Sequence, residues 1–319
     1  MILERVMKSG GIFAILIMTV VLNNPVLAVF STSGGYVSTE LYSDSGTGIG
    51  GLSLDSGRLY FGYKKTLKSL ELYDGSVDTV ATVSSSIYNP YWSYAVRHNN
   101  STYIGFDDDL DSFYSTGYVD SAGTYTSQGS IENVYDAAIN SQGELYMAAN
   151  PSSAGTKILK YDLQTGAATE IADIGGWSGG LAFDRNDNLY YADQGNGGRS
   201  ASIVMFTAAE VAAGGLDAGD ADSVLGVAAG YLGFDNEGDF YATTDYGASL
   251  AKYDLAAQSI IEEIAYGGIG QFVVNGEDIY AIDTDWNNSS CSIQQIAVPE
   301  PATIALLGLP CLWFLRRRI

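Results

Sequence analysis

Leu181–Tyr190 reads LAFDRNDNLY: three apolar residues, an Asp, a short polar turn, then Leu-Tyr. The phrase returns as GLSLDSGRLY (Gly51–Tyr60), YAVRHNNSTY (Tyr94–Tyr103), AAINSQGELY (Ala137–Tyr146), LGFDNEGDFY (Leu232–Tyr241) and FVVNGEDIY (Phe272–Tyr280). Asp, Asn and Gly accept the positive φ of tight turns, so each phrase predicts two strands joined by a hairpin. The closing tyrosines lie 43, 43, 44, 51 and 39 residues apart. Short alternating strands at a period of that size make a β-propeller blade.

Working outward, a second strand pair follows the phrase at 69–73 and 79–83, at 157–161 and 168–172, and at 250–253 and 260–264. Four strands per blade and six blades result, an all-β fold over residues 29–297. The sixth blade has three strands of its own. Val37–Tyr42, ahead of the first phrase, has the pattern of the missing outer strand and is expected to close the ring, removing the open edge of a linear array. The spacing of 51 comes from an insertion at 207–224, where Thr207 is positioned to cap a short helix.

Both ends differ from this pattern. Residues 1–28 carry Arg5 and Lys8, an apolar run from Ile12 to Leu22, and small or modest residues up to Ala28. This is the pattern of a secretory signal peptide. At the other end Val298, Pro299, Glu300 and Pro301 form a rigid polar hinge, followed by 302–315 without a charge and by Arg316, Arg317 and Arg318. A permanent span needs about 20 apolar residues, so this shorter segment, interrupted by Pro310, predicts a transient membrane signal with its basic end in the cytoplasm. The net charge is −22, with 37 acidic against 15 basic residues. Such a surface repels nucleic acid and suits a soluble extracytoplasmic protein. Of two cysteines, Cys311 lies in the tail, so Cys291 has no partner in the ring and a large core must hold it together.

The tail, residues 298–319, resembles that of bacterial PEP-CTERM proteins: the motif at Val298–Pro301, the apolar helix and the basic cluster are all matched. The resemblance implies an exosortase-type sorting protease as partner, passage through the membrane by the C-terminal helix before processing, and delivery to the cell envelope, outer surface or extracellular matrix of a Gram-negative-type bacterium. It implies a destination and no activity. The repeated phrase is also similar to that of NHL-type and gluconolactonase-like propellers. That likeness implies a metal, held in those enzymes by acidic and amide side chains of the central channel; no channel residue here is picked out for that role by sequence.

A ligand rim is expected where the loops between second and third strands meet the links between blades. Those segments hold Trp92, Asp107, Asp109, Trp177, Asp193, Asp245, Asp285 and Trp286. Aromatic planes beside carboxylates are the materials of a sugar or Ca2+ site; a solvated acidic rim with aromatics packed between blades accounts for the same residues. Asp184–Asn188 opens like a calcium loop but has Leu189 and Gly195 where that loop needs Gly and Glu, so a hairpin turn is expected. Asp217, Asp220 and Asp222 read as a solvated loop. His98, the only histidine, sits in a hairpin position, where a structural turn is expected rather than a general base. The leading expectation is a non-enzymatic surface module for polysaccharide or another protein; the alternative is a metal-dependent propeller hydrolase or lactonase.

Overall fold

Each phrase forms the hairpin that its turn residues dictate. Asn140 Oδ1 accepts the N–H groups of Gln142 and Glu144, Asp184 Oδ1 those of Asn186 and Asn188, and Asp235 Oδ1 those of Glu237 and Asp239. Positive φ falls on Asn99 and Asn100, on Gly143, Asp187, Gly238 and Gly276. The structure, a computed structural model, describes residues 30–297 except 46–47, 84–89, 109–112, 152–154, 196–198, 245–246 and 286–289. The expected signal peptide and sorting tail lie outside the described residues, as do Asp109, Asp245 and Trp286.

Six sheets result, each built on four antiparallel strands. Their innermost strands are Ile49–Asp55, Pro90–His98, Val134–Ile139, Leu181–Phe183, Ala229–Phe234 and Ile269–Asn275. Each lies beside the next, and the sixth returns to the first, so the sheets close into a six-bladed propeller around a central channel. Val37–Ser45 pairs antiparallel with Ser290–Ala297, running from Val37↔Ala297 to Ser45↔Ser290. The expected closure of the sixth blade by the N-terminal strand is thus observed. Ser31–Thr32 adds a fifth strand to blade five, on Ala265 and Tyr266, so the N-terminal segment ties blades five and six together.

The Leu-Tyr dipeptide is the ring's fastener. Successive strand residues point to opposite faces of a sheet. Leu145 therefore enters the core shared with blade two while Tyr146 enters the core shared with blade four. Leu189 and Tyr190, Phe240 and Tyr241, and Ile279 and Tyr280 repeat the arrangement around the ring. Six cores, one per blade junction, follow. Each buried aromatic or branched side chain in them is worth about 1.5–3 kcal/mol.

The insertion after blade four's third strand folds over blade three. Thr207 and Glu210 form a capping box at the start of helix Ala208–Ala213, and Val211 is buried in the core between blades three and four. Leu216–Asp217 then pairs in parallel with Ala172–Asp173, giving blade three a fifth strand. Among the described residues no helix is long and apolar enough to cross a membrane.

Candidate functional site in the central channel

Five of the six innermost strands carry a register shift near their starts, at Gly50/Leu52, Trp92/Tyr94, Val134/Asp136, Ala229/Leu232 and Ile269/Phe272. An extra residue in one strand of a pair re-aims the side chains beside it. The shifted positions include Ser93, Tyr135, Tyr231 and Gln271, and three of these side chains line the channel. Small residues let the strands approach there: a Cβ on Gly51, at φ 64°, would stand 2.5 Å from Ala95 N, and one on Gly180 would stand 2.8 Å from Gly230 O.

Tyr231 and Gln271 line both of the channel's cavities and so separate them. The Tyr135 ring stacks on that of Tyr231 at 5.2 Å and 20°. Asp136 is the carboxylate of this partition and is 8% exposed. Its Oδ2 accepts the Leu181 N–H at 3.0 Å and its Oδ1 accepts Gln271 Nε2–H at 3.2 Å. Gln271 Nε2 also donates to Ser93 O at 2.8 Å. The four residues tie the inner strands of blades two, three, four and six. Among the described residues no cation pairs with Asp136. Burial outweighs its hydrogen bonds from Leu181, Ala137 and Gln271, and pushes its carboxyl up to about 7.

The upper cavity, on the side of the loops between second and third strands, measures about 310 Å3 and includes Tyr91, Trp92 and Thr284 in its lining. The lower one, open on the hairpin side, measures about 680 Å3 and has Asp136 in its wall. The described residues of the channel do not fit a divalent cation. Calcium takes six to eight oxygens, whereas Asp136 is the one carboxylate among the described residues at the partition. No three acidic, His or Cys residues converge on a metal position among the described residues.

The rim candidates whose side chains the structure describes stand in separate surroundings. Trp92 is 7% exposed, packed between blades as the second of the two readings has it. Its indole fills the slot left by Gly62, where a Cβ would stand 1.8 Å from the ring, and its Nε1–H donates to Lys64 O at 2.7 Å. Asp193 is buried too, accepting Gly195 N–H and lying 3.5 Å from Arg199. Trp177 is 73% exposed. Asp285 belongs instead to a cleft of about 820 Å3 beside the outer closing strand, with Glu40, Asp44 and Asp283. Burial, then the charges of Asp285 and Glu40, push Asp283 up to about 6. Asp107 lies opposite Tyr91 and Tyr114 in the sheet of blade two.

The other sequence candidates are structural. Asp184 serves the Asx turn described above. Asp217 and Asp220 brace their own exposed loop. His98 lies against Gly143 of blade three and contacts Asn99. Asp136 and Gln271, which sequence reading missed, stand immediately before the repeated phrase, where other blades have Ser93, Gly180 and Tyr231. That column is the signal that finds them.

No protein-family model and no curated protein matches the sequence. Among solved structures the fold is similar to that of a gluconolactonase from Xanthomonas campestris, at 12% identity over 83% of this chain and 91% of that one, with a TM-score of 0.61. It is similar to a luciferin-regenerating enzyme, at 12% identity over 83% and 96%, with a TM-score of 0.63. It is also similar to regucalcin, a calcium-binding protein from Agrobacterium tumefaciens, at 14% identity over 82% and 94%, with a TM-score of 0.60. At such identities the likeness is one of fold: this chain is a six-bladed propeller of gluconolactonase-like architecture.

Proposed function

We propose that the protein is a hydrolase of small esters or lactones that works in the central channel, with Asp136 as the group that moves the proton. The observation that carries this reading is a lone carboxyl at the channel's partition, unpaired with any cation among the described residues and held near pH 7. A group titrating there supplies both base and acid at neutral pH. As carboxylate it takes a proton from the water whose oxygen bonds to the ester carbonyl carbon. As carboxylic acid it returns that proton to the alkoxide when the C–O bond breaks. Gln271 holds the carboxyl in place from blade six. The enzymes among the similar folds support this hydrolase reading over simple binding, and the donor set favours a course independent of a metal ion.

The full chain is expected to hydrolyse 4-nitrophenyl acetate and δ-valerolactone, with Asp136→Asn lowering kcat roughly 100-fold and excess EDTA changing nothing. Activity that survives Asp136→Asn, or that needs added calcium, contradicts the reading.

A second reading, binding of polysaccharide or a surface protein on the loop face, is favoured by the exposure of Trp177. Glycan-array binding that Trp177→Ala leaves unchanged argues against it. For either activity the proposed setting is outside the cytoplasm, with export through residues 1–28 and exosortase sorting through Val298–Pro301. Both rest on the sequence of the two ends. Mass spectrometry of protein recovered from cells tests them: new ends near Ala28 and near Val298 are expected, and an intact chain contradicts both.

A further inference from the structure

We propose that the substrate of this channel carries a carboxylate, which Arg97 holds at the hairpin-side mouth of the lower cavity while the ester lies further in, at Asp136. The proposal rests on the hydrolase reading and adds the substrate class. Asp136 lines the lower cavity and not the upper one, so the reacting group is approached from the hairpin side. The mouth on that side is polar, with Asp55, Arg97, Asn236 and Asn275 around it. Among the described residues Arg97 is the one basic side chain of this lining.

Its guanidinium is fixed in place and only partly satisfied. The side chain is 12% exposed and lies over the Tyr60 ring at 4.6 Å. Nε donates to Asp55 Oδ2 at 3.1 Å, and Nη1 donates to Thr102 Oγ1 at 3.2 Å. A guanidinium has five N–H groups, and the other three have no partner among the described residues. Asp55 neutralises it incompletely, since that carboxylate is 35% exposed and its Oδ1 accepts from Ser56 Oγ at 2.8 Å. A charged donor withdrawn from water with bonds unmade is costly, and an anion in the cavity supplies the missing acceptors. A carboxylate fits best, because its two oxygens match the planar fork of the guanidinium and its single charge meets less repulsion from Asp55 than a dianion would.

The distance to the reacting end limits the ligand further. Gln271 bonds both Ser93 O and Asp136 Oδ1, so these two stand at one level of the channel. Arg97 follows Ser93 by four residues toward the mouth, about 13 Å along a strand. A half-ester of a five-carbon diacid, with a hydrogen bond at each end, has that reach. Ser53, two residues inward of Asp55, lies in the same lining with a buried Oγ that has no hydrogen-bond partner, and serves the atoms between the two ends.

The experiment compares mono-4-nitrophenyl glutarate with its neutral methyl ester on the full chain and on two variants, Arg97→Gln and Asn275→Asp. Calorimetric binding of glutarate is read alongside. The anionic ester is expected to have the higher kcat/KM by roughly 10-fold to 100-fold, chiefly through KM, and Arg97→Gln should erase that preference. Asn275→Asp places a second carboxylate at the mouth without touching Arg97, and should cut the preference several-fold even if Arg97→Gln fails to fold. Equal turnover of the two esters, or a preference that either folded variant leaves intact, overturns the carboxylate proposal and leaves the hydrolase reading standing. Glutarate binding that is weakened in the variants, without hydrolysis of any ester, overturns the hydrolase reading and keeps the ligand class. Neither hydrolysis nor glutarate binding overturns both.

Discussion

The two ends of the channel are built from different materials. The upper end has aromatics and glycines; the lower end is lined by polar residues, Asp55, Arg97, Asn236 and Asn275 among them, beside aliphatic ones, with one buried carboxyl at its head. Charge density points to the upper end, yet its described acids are either satisfied locally, as Asp193 is by Gly195 N–H, or gathered in the outer cleft with Asp285. Many carboxylates on a protein of net charge −22 mark solvation. One carboxylate withdrawn from water without a cation is costly, and that cost makes it the more informative residue.

The contrast can be broken first at Trp92. If its indole is an inter-blade fastener, Trp92→Ala leaves a cavity beside Gly62 and lowers stability by about 3–5 kcal/mol, seen as an earlier midpoint in urea. A smaller loss, with binding of a ligand abolished, would return Trp92 to the rim.

A comparable effect should appear in pH dependence. Asp136 holds its proton up to about pH 7 in the fold and only to about 3.9 in the unfolded chain. Folding therefore takes up a proton between those values, and stability is greatest below the window, falls across it and levels off above pH 7. The loss is on the order of 4 kcal/mol. Asp283, pushed up to about 6, adds a fall in the same direction. Urea unfolding at a series of pH values checks this, and Asp136→Asn should flatten most of the slope.

Gln271→Ala removes a donor to both Asp136 and Ser93 O and should cost about 1–3 kcal/mol. It also removes a hydrogen bond that favours the carboxylate, so the carboxyl should titrate at still higher pH, which an infrared titration of the carboxyl band would read. Trp177→Ala, on the exposed upper surface, should change stability by less than about 0.5 kcal/mol; a large loss would mean that the upper face is packed by something else.

The ring was legible because its determinants are local. A turn that needs Asp184 or Gly143, and a dipeptide such as Leu189-Tyr190 that fastens a blade on both sides, repeat in the sequence with each blade. The channel was less legible because an extra residue in each of several inner strands, with no sequence mark of its own, decides which side chains turn inward. Asp136 and Gln271 look like ordinary strand polars until the column before the phrase is known to face the channel. Trp92 stayed open between rim and core for a related reason: the slot that buries it is made by Gly62, thirty residues away and in another blade.

The pH dependence of kcat/KM for 4-nitrophenyl acetate tests the role of Asp136 most directly. The account predicts a rate that rises with pH through a single inflection near 7, as the carboxylate forms, and the loss of that inflection in Asp136→Asn. A profile without an inflection near 7, or one that Asp136→Asn leaves in place, would contradict it.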